Sequence, residues 1–109
     1  YQSDDKAQEP LAMGSGVTVE KVYGFEPVAT ELEKEEKKYI LGVQANVWTE
    51  YIATPEHVEY MMVPRIAALA EVQWMMPEKD YQEFLKRLSS LVGFYKRESV
   101  NYAKHVLMK

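Results

Sequence analysis

The stretch YILGVQANVWTEYIATPEH, residues 39–57, decides how this chain is read. Tyr39, Ile40, Leu41 and Val43 form a near-continuous apolar patch of strand length, the pattern of a strand buried on both faces in a parallel sheet. Gly42 inside it predicts a close approach by a neighbour. Gln44 and Asn46 then alternate with Val43, Ala45 and Val47, so one face of the late strand carries amides that need partners inside a protein. The run ends at Trp48, Thr49 and Glu50. Thr54 follows as a helix N-cap, with Pro55 at the first helical position.

Downstream, PEHVEYMMVPRIAALAEVQW is apolar at Val58, Met62, Ile66, Leu69 and Trp74, and its alanines allow close packing. Pro64 removes the hydrogen bond to the carbonyl of Tyr60, so it either kinks this helix or starts a second one. Arg65 and Glu71 are six apart and do not share a helical face, so each pairs elsewhere or marks a helix end. Trp74 is expected to pack rather than to touch ligand. The Met61–Met62 and Met75–Met76 pairs read as core filler. MPEKD is a breaker, and Asp80 with Glu83 is a capping-box candidate. Tyr81, Phe84, Leu85, Leu88, Leu91, Val92 and Tyr95 then recur near every 3.6 residues, which predicts an amphipathic helix. Residues 99–109 extend it or form a short helix.

Upstream, residues 1–16 read as loop. VTVEKVYGFEP alternates weakly at Val17, Val19 and Val22, which fits a short strand or an irregular loop. Thr30 with Glu33 is a further capping-box candidate before the charged run ELEKEEKKY, whose acids precede its lysines as the helix dipole favours.

Composition narrows the function. The chain has 109 residues, 47% of them hydrophobic, with 13 basic and 17 acidic side chains and a net charge of −4. That length fits one ordinary domain. The acidic balance argues against a nucleic-acid surface. There is no cysteine, hence no thiolate metal site. His57 and His105 lack a local carboxylate pattern and make a poor metal site, so solvated or capping roles are expected for both, and no cofactor is expected. No apolar run approaches a membrane span. The chain begins at Tyr1 without an initiator Met, which predicts a piece of a longer protein.

Trp48 with Glu50 is the constellation that carries chemistry. A spacing of two puts both side chains on one side if the chain stays extended. An indole is a flat platform for the C–H face of a sugar, and a carboxylate beside it accepts hydroxyl hydrogen bonds worth about 1.5–3 kcal/mol each. At the C-terminal end of a barrel strand both would stand on an active face. A single acid does not supply ordinary glycosidase chemistry, which needs two carboxyl groups.

Gly42, Gln44, Trp48, Thr49, Glu50, Pro64, Arg65, Ala68, Leu69, Ala70, Glu71 and Trp74 occur in an order that resembles the late region of glycoside hydrolase family 20, the β-N-acetylhexosaminidases. VYGFEPV is similar to the segment ahead of that family's last barrel strand. The resemblance implies a (β/α)8 TIM barrel of α/β class that removes terminal N-acetylglucosamine or N-acetylgalactosamine by a retaining, substrate-assisted route. In it, an adjacent Asp-Glu pair and a Tyr from a Tyr-x-Asp motif act on the acetamido group and the glycosidic oxygen. It implies that Trp48 lines the sugar pocket and that Glu50 binds the hydroxyls at carbons 4 and 6. This chain contains no Asp-Glu dipeptide. The resemblance therefore places the catalytic pair upstream, and Tyr1 falls just beyond the Tyr-x-Asp motif and takes no role.

On this reading residues 1–38 are a loop and short helix before the last barrel strand. Residues 39–76 are the last strand and helix, and 77–109 a trailing helical segment. The partners are an N-acetylhexosaminide glycan and the rest of the barrel, and the setting is secreted, periplasmic or cell-surface. Taken alone, the piece is expected to be inactive and mostly helical, with Tyr39–Val47 irregular or self-paired between copies. The alternative is a small non-catalytic helical interaction module in which Trp48 and Glu50 are structural.

Overall fold

The structure is a computed structural model that describes residues 16–74 and 79–108. The Met75–Met76 pair lies outside the described residues. Five α-helices are present among the described residues: α1 (Val19–Tyr23), α2 (Lys34–Lys37), α3 (Pro55–Met62), α4 (Arg65–Trp74) and α5 (Tyr81–Arg97), followed by a 3₁₀ turn, Lys104–Leu107. No strand occurs among them.

Segment Val17–Pro27, expected as strand or loop, holds helix α1. The Thr18 hydroxyl caps it by accepting from the Lys21 N–H at 3.1 Å. Val19 and Tyr23 are four apart and both buried. Spacings of two and three fit either period over so short a run, and burial against α4 selects the helix. The Thr30 cap is corrected too. Helix α2 starts three residues later, where the Glu36 carboxylate accepts the N–H of the N-cap Glu33 at 2.8 Å.

Helix α3 opens as the sequence predicts. The Thr54 hydroxyl accepts from the His57 N–H at 3.2 Å, and Pro55 needs no N–H at its position. The helix ends at Pro64, and a second helix begins there. The Val63 N–H still reaches the Glu59 carbonyl at 2.8 Å. The Tyr60 carbonyl has lost its usual donor, because residue 64 has no N–H. The Arg65 side chain takes over. Its Nη1 donates to the Met61 carbonyl at 2.8 Å and to the Tyr60 carbonyl at 3.5 Å. The Val63 carbonyl accepts the Ala103 N–H at 2.9 Å, so the C-terminal tail also docks on this break.

The core lies between α1, α4 and α5 and under the tail. Val19 and Tyr23 meet Ala68 and Val72 of α4, Phe84, Leu88 and Tyr95 of α5, and Tyr102, Ala103 and Val106 of the tail. Tyr23 stacks on Phe84 with ring centroids 4.8 Å apart, and Tyr95 lies 5.6 Å from Tyr102. Burying a side chain the size of Phe84 stabilises by about 1.5–3 kcal/mol. The α5 stripe behaves as its periodicity predicts except at Leu91, which is exposed. Asp80 caps α5 by accepting the Gln82 and Glu83 N–H groups at 2.9 and 3.1 Å. His105, expected to be solvated or capping, is instead buried, with Nδ1 3.3 Å from the Tyr60 hydroxyl.

Residues 39–48 are irregular, as expected of the piece on its own. From Leu41 to Val47 no backbone-to-backbone hydrogen bond forms among the described residues. A Cβ on Gly42 would meet nothing within 4 Å, so the close approach predicted there is not made. Leu41 is 94% exposed in this chain, and so at 85% is Trp74, whose expected packing is between helix and barrel.

Helix α5 ends in a Schellman turn. The Val100 N–H donates to the Tyr95 carbonyl at 2.9 Å and the Ser99 N–H to that of Lys96 at 3.3 Å. Ser99 occupies the left-handed position, with φ 56°. A side chain there costs about 1 kcal/mol that glycine avoids. Ser99→Gly is therefore expected to raise the urea midpoint, by up to about 1 kcal/mol in unfolding free energy. A lower midpoint would contradict the cap.

Candidate functional site

Trp48 stands at the rim of an open hollow of about 650 Å³. Residues 43–48 form one side of it. Met62, Ile66 and Leu69 also line it, with Val22 of α1 and Phe25 just beyond that helix. Two cationic side chains, Lys21 and Arg65, also line it. The Lys21 ammonium donates to the Gly16 carbonyl at 2.8 Å. The amides that alternate along 44–46 satisfy one another, Gln44 Nε2 donating to Asn46 Oδ1 at 3.0 Å. The Gln73 side chain donates to the Val43 carbonyl at 3.2 Å and holds this segment to α4.

Glu50 is exposed and is not among the residues that line the hollow. A turn begins at Thr49, whose carbonyl accepts the Ile52 N–H at 3.0 Å. The spacing argument for Trp48 and Glu50 assumes an extended chain, and here the chain bends between them. The structure brings Trp48 to the hollow and leaves Glu50 on the turn beyond it.

Arg65 and Glu71, expected to pair elsewhere or to mark a helix end, do so at two polar centres whose partners the sequence did not name. Arg65 is only 8% exposed, and besides its bonds to α3 its Nε donates to the Val17 carbonyl at 2.9 Å. A Pro-Arg pair following a tyrosine four residues before the proline was the available signal, since it places an orphaned carbonyl next to a long multi-donor side chain. The second centre is the Tyr23 hydroxyl. It accepts the Asp80 N–H at 3.1 Å and lies 3.0 Å from Glu71 Oε1 and 3.2 Å from the Asp80 carbonyl, the two acceptors between which its single proton chooses. Arg87 donates to both oxygens of Glu71, through Nε at 3.2 Å and through Nη2. Glu71 thereby joins α1, α4 and α5, although it shares no helical face with Arg65. No cluster of three or more metal-ligating side chains occurs among the described residues. Nor is any described helix long and apolar enough to cross a membrane.

Burial pushes the Tyr23 phenol above its ordinary 10.0, and the hydrogen bond to Glu71 and that carboxylate's charge push the same way. The Asp80 backbone and Arg87 oppose this only in part. Burial also raises Tyr81 and Tyr95. A phenol whose folded pKa is raised binds its proton more tightly in the native state. Its contribution is complete below pH 10 and is lost as pH climbs from there through the folded value. Unfolding free energy measured in urea should therefore fall as pH rises above about 10. Tyr23→Phe should flatten part of that slope while lowering stability at pH 7 by about 1–3 kcal/mol, since the Asp80 N–H and Glu71 lose a partner. An unchanged slope in Tyr23→Phe would exclude Tyr23 as a source.

Comparison with known proteins places this arrangement. Residues 1–77 match the catalytic domain of glycosyl hydrolase family 20. The chain is 37% identical over 103 residues to a beta-hexosaminidase of Porphyromonas gingivalis, covering 94% of this chain and 13% of that protein. It is 32% identical over 88 residues to a beta-N-acetylhexosaminidase of Cellulomonas fimi, covering 80% of this chain and 18% of that protein. With a beta-hexosaminidase of Vibrio furnissii the identity is 36% over 69 residues, 62% of this chain and 11% of that protein. The chain belongs to glycosyl hydrolase family 20. It spans less than a fifth of the length of these relatives.

Proposed function

We propose that this chain is part of a retaining, substrate-assisted β-N-acetylhexosaminidase that removes terminal N-acetylglucosamine or N-acetylgalactosamine. Within that enzyme residues 39–48 are the last strand of a (β/α)8 barrel, α3 and α4 its last helix in two pieces, and residues 77–109 a trailing helical segment. Residues 1–38 lead into the strand. The observation that carries the reading is the 94% coverage by a beta-hexosaminidase relative of a chain that holds the ordered Gly42-to-Trp74 motif. The lack of backbone-to-backbone hydrogen bonds along Leu41–Val47 among the described residues supports it, since a barrel strand finds such partners on neighbouring strands.

In the whole enzyme Trp48 offers its indole to the sugar ring and acetamido group. Glu50 accepts hydrogen bonds from the hydroxyls at carbons 4 and 6. The turn at Thr49 is the local element that barrel assembly straightens, bringing the carboxylate beside the indole. The attacking atom is the acetamido oxygen of the substrate, and the Asp-Glu pair that orients it and handles the proton is supplied by other parts of the enzyme. This chain contributes binding, so alone it turns nothing over.

The test is hydrolysis of 4-nitrophenyl N-acetylglucosaminide. The full-length protein should cleave it and the 109-residue chain should not. Glu50→Gln in the full-length protein should lower kcat/KM about tenfold or more, the loss of one charge-assisted hydrogen bond. Wild-type kinetics in that variant would remove Glu50 from the site. Inactivity of the full-length protein on both N-acetylglucosaminide and N-acetylgalactosaminide would overturn the reading.

A further inference from the structure

The hollow beside Trp48 is shaped by a cation that the sugar reading leaves unused. A buried guanidinium needs its donors engaged, because desolvating an uncompensated charge is costly. Arg65 engages Nη1 and Nε by spanning two parts of the chain. Nη1 reaches the Met61 carbonyl at 2.8 Å and that of Tyr60 at 3.5 Å, while Nε reaches the Val17 carbonyl at 2.9 Å. The first two are the carbonyls stranded at the C-terminal end of α3, where a positive charge also meets the negative end of the helix dipole. Val17, Met61 and Arg65 all line the hollow that Trp48 lines. Arg65 of α4 thus ties two other parts of that lining together, Val17 ahead of α1 and Met61 of α3.

We propose that Arg65 is a positioning residue for the sugar site: by bridging Val17 to the end of α3 it fixes part of the lining that the hollow shares with Trp48. This rests on the reading of Trp48 as a substrate-binding residue. Arg65 acts through backbone carbonyls and touches no reacting atom. Loosening it weakens the hold on substrate without altering the chemical step. Lysine does not substitute, since one ammonium group lacks the separated, planar donors needed to hold both carbonyl positions.

The experiment uses the full-length enzyme with 4-nitrophenyl N-acetylglucosaminide. Arg65→Lys and Arg65→Gln are expected to raise KM about five- to tenfold with kcat within about twofold of wild type. Leu88→Ala, a buried residue that does not line this hollow, should lower Tm while leaving KM unchanged. A wild-type KM in folded Arg65→Lys overturns the proposal, as does a Leu88→Ala variant that shifts KM equally. If neither Arg65 variant folds while Leu88→Ala does, Arg65 is purely structural and the proposal falls. Trp48→Ala separates the two ideas. An unchanged KM there refutes the sugar reading itself, whereas a raised KM beside a wild-type Arg65→Lys refutes only the role of Arg65.

Discussion

The missing N–H of Pro64 governs much of this structure. It ends α3 and strands the Tyr60 carbonyl, and α4 starts afresh at Arg65. Arg65 answers by filling the gap with its guanidinium, and the same group reaches Val17 ahead of α1. The Val63 carbonyl, freed at the same break, receives the Ala103 N–H and docks the tail. One absent donor thus brings together three segments far apart in sequence. A guanidinium suits the task because its donors lie in a fixed fork and it stays charged at any pH the protein meets.

A second centre holds the other end of α4. The Glu71 carboxylate receives the Arg87 guanidinium and faces the Tyr23 hydroxyl, which also accepts the N–H of the α5 cap residue Asp80. The ion pair is half-exposed on the Arg87 side and adds little through charge alone. Its value is geometric, since it sets α5 against α4 while Tyr23 and Tyr81 each stack on Phe84. Family membership spans residues 1–77, and this network extends the same packing into α5.

What the sequence made legible was local. Thr54-Pro55 and Asp80 cap their helices because capping needs only a hydroxyl or carboxylate and the next three residues. The α5 stripe was legible because seventeen residues hold enough turns to fix a period. Helix α1 was not, since it is five residues long and the valines at 17, 19 and 22 have mixed spacings that fit strand, loop or helix alike. Burial of His105 and Arg65 depends on the chain folding back over forty residues or more, which no local pattern encodes. The pairing of Trp48 with Glu50 assumed an extended chain, and the turn at Thr49 that parts them here depends on what surrounds it. Trp74 shows the same limit, because its exposure is set by what lies against α4.

The backbone of Leu41–Val47 also makes a natural cleavage point. A protease threads accessible chain free of ladder hydrogen bonds through its groove, and this segment, held at Val43 by the Gln73 side chain, offers one bounded by Tyr39 and Trp48. A nick there would leave two peptides that stay together, because α1 remains gripped by Arg65, Glu71 and the α5 aromatics. The polypeptide is thus divisible in its covalent thread at a place where its noncovalent architecture is not.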